Sequence, residues 1–240
     1  MEARTTVVTG AAQGIGRAIA ERLAADGQTV IGCDIKDGGN DFPGTMVRVD
    51  LTDADAAKDC MADIAGHYAV DHLVNNAGAV FPQLMEDTDL ESFQKAIDLN
   101  LRAALITAQA FTPAMRAKGR GRIVNISSRA VTGKAIRTSY AAAKAGLMAF
   151  TRTWALELGR DGITVNCIGP GPIATELFNS ANPPDSPVTQ EIRASIPVGR
   201  MGEPREIAGT VAFFLSDDAA FITGQTLFVC GGMTVGRAPI

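Results

Sequence analysis

Tyr140 and Lys144 stand four residues apart in "YAAAK", a spacing that puts both side chains on one face of a helix. A phenol ordinarily titrates near ~10, and a neighbouring ammonium favours its ionised form. The pair can therefore work as a tunable acid/base toward a carbonyl or hydroxyl oxygen. Ser128 lies twelve residues earlier, at the end of the strand-like run "GRIVNIS". From there its hydroxyl can hydrogen-bond the same oxygen. A Tyr-x-x-x-Lys pair alone is common and mostly structural. Its force here comes from a second group of residues near the N-terminus.

That group is "VVTGAAQGIGRAIA", which places Gly10, Gly14 and Gly16 between a short apolar run and a helical pattern. Glycines in that context allow a tight turn and let backbone N–H groups approach a pyrophosphate, and the helix N-terminus adds positive potential. Asp34 ends the next apolar run, 18 residues beyond Gly16. A carboxylate there accepts both hydroxyls of an adenosine ribose and repels a 2′-phosphate, which points to NAD over NADP. A nearby positively charged nicotinamide would further favour the phenolate of Tyr140.

The elements that must position these residues follow from the pattern. Short β-branched runs ("TTVVT", "QTVIGCD", "TMVRVDL", "VDHLVNNAG", "GRIVNISS", "GITVNCIGPG", "QTLFVCGG") alternate with helical segments. The longest of these are predicted over roughly Asp89–Lys118 and Ser139–Gly159. Such alternation implies an α/β fold, a doubly wound, mostly parallel seven-stranded sheet with helices on both faces. Neither a repeat nor a dividing linker is evident, so residues 1–240 are expected to form a single nucleotide-binding domain. Residues 175–200 are proline-rich and follow a strand's C-terminal end, the place for a substrate lid.

Composition narrows the function classes. The hydrophobic share is 46% and the charged share 20%, as in a globular protein. There is no signal-like N-terminus and no apolar run of membrane-spanning length, so a cytoplasmic protein without membrane contact is expected. Cys33, Cys60, Cys167 and Cys230 form no C-x-x-C pair, and His67 and His72 have no metal-ligand spacing, so no metal is expected. Both histidines are expected at the surface or a strand edge. The net charge of −4 gives no reason to expect nucleic acid. Charge is nevertheless uneven. Leu99–Leu156 holds ten cations and no acid, leaving 12 cations against 26 acids elsewhere. Arg129, Lys134 and Arg137 lie between the serine doublet and Tyr140, and would suit an anionic substrate such as a hydroxy acid or acyl carrier. Neutralisation by acids from other segments is the competing reading.

Across nearly its whole length the chain resembles the compact single-domain branch of the short-chain dehydrogenase/reductase family. The matching motifs are "TGAAQGIG", Asp50–Leu51, "NNAG", Asn100 after "IDL", "IVNISS", "YAAAK", "PGPIAT" and "PVGRMGEPREIA". The likeness extends to members acting as 3-oxoacyl-carrier reductases and as polyol or diol dehydrogenases. It implies NAD-dependent interconversion of a secondary alcohol and a ketone, with a small-molecule substrate. Ser128 would polarise the substrate oxygen, Tyr140 would transfer the proton, and Lys144 would bind the nicotinamide ribose. Asn100 would hold a water that extends the proton relay. Gly10, Gln13, Gly14, Ile15, Gly16, Asp34, Asp50, Leu51, Asn76, Ala77, Gly78, Pro170, Gly171, Ile173 and Thr175 would line the cofactor with Tyr140 and Lys144. Leu177 and Phe178, with Val80 and Phe81, would help shape the substrate pocket. A homotetramer or homodimer is implied, with Leu101–Met115 and Ala141–Leu156 as contact helices. Two positions depart from the family. The usual serine spacing reaches Ser127, whereas alignment of the strand selects Ser128 and a loop one residue shorter. Cys230 stands where the family usually has an aspartate. A non-catalytic NAD-binding regulator on the same fold and a 3-oxoacyl thioester reductase remain as alternatives. A sugar-nucleotide epimerase is disfavoured by the missing C-terminal substrate domain.

Overall fold

The computed structural model describes residues 4–183 and 185–236; the side chains of Leu177 and Ala181 also lie outside that description. Seven strands form one sheet: β1 Thr5–Thr9, β2 Thr29–Asp34, β3 Thr45–Arg48, β4 His72–Asn75, β5 Gly121–Ile126, β6 Ile163–Pro170 and β7 Thr226–Val229. The spatial order is β3-β2-β1-β4-β5-β6-β7, and every pairing is parallel. The central strands β4, β5 and β6 are buried at every position, which explains why they read as continuous apolar runs.

Helices cover both faces. On one side α1 (Gly14–Ala25) and α8 (Pro204–Leu215) bury Ile19, Leu23, Ile207, Val211 and Phe214 against the sheet. On the other, α2 (Ala54–His67), α4 (Ala103–Lys118) and α5 (Thr138–Leu158) contribute Met61, Ile64, Phe111, Met115, Trp154 and Leu158. Asp53 caps α2 by accepting from the N–H groups of Asp55 and Ala56, both at 3.0 Å.

The long helix expected over Asp89–Lys118 is interrupted. It runs as α3 (Leu90–Ile97), a π-turn at Asp98–Arg102, then α4. The widened turn frees the Asn100 side chain to donate inward, to the carbonyls of Ala96 (2.9 Å) and Ala79 (3.0 Å). Such turns often mark functional positions. The proline-rich segment also holds two short helices, α6 (Glu176–Ala181) and α7 (Pro187–Ala194), with Pro187 at the first turn, where a missing N–H costs nothing.

A buried polar chain ties the core together. Thr107 of α4 donates to Asn75 Oδ1 (2.6 Å), and Asn75 Nδ2 donates to Asn125 Oδ1 (2.9 Å). Asn125 Nδ2 donates in turn to Thr151 of α5 (2.9 Å). Two strands and two helices are thus linked by side chains that have no access to water.

His72 corrects the expectation of a surface or strand-edge residue: it is completely buried at the start of β4. Its Nδ1 lies 3.2 Å from Gln28 Oε1, and Nε2 has no partner. Burial, then the charges of Arg120, Arg4 and Arg122, lower its pKa to about 3, with only Asp71 opposing. A histidine neutral in the fold costs nothing above the unfolded value near ~6.5; below it, the unfolded chain gains the proton first and stability falls. The expected loss is about 2 kcal/mol between pH 6.5 and 5, before carboxylates contribute. Urea midpoints measured across that range should slope in the wild type and flatten in His72→Gln.

Candidate active site

The residues singled out in the sequence gather at the C-terminal ends of the strands. The sheet order reverses between β1 and β4, the position where open α/β sheets form their ligand crevice. The loop after β1 packs tightly against the loop after β4. Gly10 has φ +64°, and a Cβ there would lie 2.8 Å from the Ala77 Cα. A Cβ on Gly16 would lie 2.0 Å from the Gly10 carbonyl oxygen and 2.6 Å from Asn76 Nδ2. Asn76 Nδ2 donates to the carbonyls of Thr9 and Gly10, each at 3.0 Å. Thr9 Oγ1 accepts from the N–H groups of Asn76 and Ala77, also at 3.0 Å. Thr9 was missed in the sequence; its signal is a hydroxyl residue closing an apolar strand directly before the glycine.

Asp34 projects from the end of β2 beside this loop. Its two oxygens accept from Ala12 N–H (3.0 Å) and Lys36 N–H (3.1 Å). The Lys36 ammonium is turned onto Gln13 Oε1 (2.7 Å), the residue preceding α1. Asp50, after β3, accepts from Thr52 N–H and Oγ1 at 2.8 and 2.7 Å, while Leu51 is buried. Across the crevice, Gly171 follows β6 and its N–H donates to Val229 (2.9 Å). Ala174 N–H donates to Gly202 (2.8 Å), holding Ile173 inward. Thr175 caps α6 through Phe178 N–H (3.1 Å), and a Cβ on Gly14 would be 3.4 Å from its methyl carbon. Cys230, in the position of the family's acid, touches Gly171 and has its sulfur 3.3 Å from Thr234 Oγ1.

At the other end of the crevice α5 presents Tyr140 and Lys144. The two serines of the doublet part company. Ser127 is buried and donates to the Lys144 carbonyl (2.7 Å), whereas Ser128 caps the 3-10 turn Arg129–Thr132 and stands near enough to Tyr140 to favour its ionised form. The Lys144 ammonium lies 5.8 Å from the centre of the Tyr140 ring and donates to Ile126 O (2.8 Å). Burial lowers its pKa to about 8. Tyr140 corrects an expectation. In the protein alone its pKa is raised, because burial outweighs the opposing effects of Ser128 and of the Arg137 charge. Asn100 Oδ1 is buried and receives no hydrogen bond from the described groups. A Cβ on Gly78 would lie 2.6 Å from that oxygen and 3.0 Å from Lys144 Nζ, so both polar tips face one small space.

The pocket residues are less gathered. Phe178 lines a cavity of about 280 Å³ formed between residues 174 and 201, with Thr189, Arg193 and Met201, rather than a shared surface with Tyr140. Val80 is exposed and Phe81 half-buried; the Leu177 side chain lies outside the described residues. Among the described residues no cluster of metal-ligating side chains occurs, and no helix is long and apolar enough to cross a membrane.

A fold with a glycine-rich turn beside a strand-end carboxylate, and with Tyr140, Lys144, Ser128 and Asn100 at the same end of the sheet, has counterparts. A family model described as enoyl-(acyl carrier protein) reductase matches residues 10–234. The chain is 38% identical to the 3-oxoacyl-(acyl-carrier-protein) reductase of Vibrio harveyi, over 97% of this chain and 98% of that one. Among solved structures it is similar to one from Beutenbergia cavernae, provisionally described as an NAD(P)-dependent gluconate 5-dehydrogenase with bound NADP. The TM-score is 0.92, with 35% identity and 97% of both chains covered. The aldohexose dehydrogenase of Thermoplasma acidophilum gives a TM-score of 0.91 at 32% identity, covering 99% of this chain and 96% of that one. The chain belongs to the short-chain dehydrogenase/reductase family of oxidoreductases, acting on CH–OH groups.

Proposed function

We propose that the protein interconverts a secondary alcohol and a ketone with NAD, through Tyr140, Lys144, Ser128 and Asn100. The observation that carries this is the Tyr140 phenol, flanked by the buried Lys144 ammonium 5.8 Å from its ring centre and with Ser128 beside it, at the glycine-lined crevice. NAD, when bound, supplies the hydride acceptor. Gly10, Gly14, Ile15 and Gly16 would hold its pyrophosphate and Asp34 its adenosine ribose. Asp50, Leu51, Ala77 and Gly78 would line its adenine and ribose side, and Pro170, Gly171, Ile173 and Thr175 its nicotinamide side. The orphaned acceptor of Asn100 and the glycine contacts too tight for any side chain fit such a ligand. Ser128 would orient the substrate hydroxyl, and Tyr140 Oη would take its proton. Lys144 would steady the phenolate and ribose, and Asn100 would hold a water behind it.

Asp34 supports NAD over the NADP held by the Beutenbergia structure, since its carboxylate is fixed, the Lys36 ammonium is engaged with Gln13, and Arg48 donates to the Ile35 carbonyl. With a panel of secondary alcohols, absorbance of the reduced cofactor should show NAD favoured in kcat/KM by about 10-fold or more. Asp34→Ala should narrow that preference; equal use of both cofactors by the wild type would refute the assignment. The Vibrio relative favours a second reading, reduction of a 3-oxoacyl thioester, which a thioester substrate in the same assay would reveal. We further propose a cytoplasmic homotetramer or homodimer contacting through α4 and α5, where Leu156 is 86% exposed. Residues 175–200 would form a lid over a single domain.

A further inference from the structure

The ten cations of Leu99–Leu156 differ in what surrounds them. Acids reach half of them: Arg102 pairs with Asp98 of its own turn, and acids from other segments pair with the rest, Arg116 with Asp161, Lys118 with Asp71, and Arg120 and Arg122 with Asp217. Lys144 is buried, and Arg152 is exposed on the outer side of α5. The neutralising reading therefore holds for Arg102 and for the four cations at the far end of the sheet. It fails in the loop between Ser128 and Tyr140, where Arg129, Lys134 and Arg137 form no ion pair among the described residues.

These three charges act on one another. Partial burial, then repulsion from Arg137 and Arg129, lowers the Lys134 pKa. Like charges gathered in one short loop repel one another, which costs stability. The loop is also held in a costly shape. Ile136 has φ +56°, the only non-glycine with positive φ among the described residues, and it is β-branched. Strain of this kind persists where surrounding structure imposes it, and it collects at functional sites. Here an isolated parallel bridge between Gln83 and Arg137 fixes the loop to the segment after β4. Arg137 is thereby held close enough for its charge to act on the Tyr140 phenol.

We infer that Arg129, Lys134 and Arg137 bind an anionic group, a carboxylate or phosphate, carried by the substrate itself. This rests on Tyr140 being the acid/base. The loop's place selects the source: it runs from Ser128 to Tyr140 and is bridged at Arg137 to the segment after β4, so its charges border the small molecule being oxidised. A carrier protein's surface would stand an arm's length further out. Arginine's planar fork suits a carboxylate, and the mutual repulsion is relieved when the anion arrives.

The test compares kcat/KM for hydroxy acids with that for their methyl esters over a ladder of chain lengths, in wild type, Arg129→Gln and Lys134→Gln. Phosphorylated alcohols form a parallel arm that separates the two anion types. The acid-to-ester ratio should be about 10 or more in the wild type and should fall several-fold in each variant and with added salt. A wild-type ratio near one, or a ratio unchanged in both variants, overturns the proposal. Turnover of a carrier-bound thioester without any preference for acids does so too. Failure of the proposed reaction would look different, with neither acid nor ester oxidised. In that event calorimetry with succinate and with inorganic phosphate decides. Binding weakened by Lys134→Gln sustains the anion site, and absence of binding removes it.

Discussion

Tyr140→Phe should lower kcat/KM for alcohol oxidation by about 10³-fold, within the range ascribed to a positioned proton acceptor. The substitution removes one oxygen and leaves the ring against Lys144, so cofactor binding and melting temperature should change little. A pH profile sharpens the result. Burial holds the phenol in its protonated form above the ordinary value, and Lys144, at about 8, keeps its charge through neutrality. Oxidation needs the phenolate, so wild-type kcat/KM should rise with pH until the nicotinamide-bound phenol is ionised. Ketone reduction needs the phenol and should fall over the same range. The phenylalanine variant should lose both slopes. A variant that retains wild-type turnover would exclude the phenol as the proton-transfer group.

Gly16→Ala is expected to be the most damaging single methyl group. The added carbon would sit 2.0 Å from the Gly10 carbonyl oxygen, and Asn76 closes the other side at 2.6 Å. Neither neighbour can withdraw, because Gly10 N–H is bonded to Cys33 O (2.7 Å) and Asn76 spans two carbonyls. The loop must move as a unit, at a cost of about 3 kcal/mol or more. That corresponds to a fall in Tm of about 6–12 °C for a chain of this size. Gly27→Ala is the matched control. Gly27 has φ +80° but nothing within 4 Å of its would-be Cβ, so only backbone strain of about 1–2 kcal/mol applies. Differential scanning should rank the two in that order, and the Gly16 variant alone should lose NAD-induced stabilisation.

Much of this architecture is readable from the chain because burial and periodicity coincide. β4, β5 and β6 are fully buried, so their apolar runs announce a parallel sheet, and all seven strands prove parallel where mostly parallel was expected. Ser128 is separable from Ser127 because strand alternation sends neighbours to opposite faces. Other features leave no local trace. The π-turn at Asn100 is flanked by helical pattern on both sides, and one inserted residue does not disturb a period of 3.6 enough to be seen. The raised pKa of Tyr140 escapes a reading based on neighbouring charges, since desolvation depends on what packs around the ring. His72 is hidden for the same reason: a lone imidazole carries no information about how much of the fold lies over it.

The polar chain from Thr107 through Asn75 and Asn125 to Thr151 has a consequence for the angular setting of α5. Its sequence, "TSYAAAKAGLMAFTRTWALEL", is apolar around most of its circumference, so hydrophobic contact alone scarcely distinguishes one azimuth from the next. A slip of one residue would turn the helix by about 100° and carry Tyr140 out of the crevice while burying comparable area. It would also leave the Asn125 Nδ2 group without its acceptor on Thr151 in a dry interior, which hydrophobic contact cannot offset. The amide thus works as an index pin for the helix. The outer face of α5 can meet another subunit, or water, without transmitting that choice to the tyrosine.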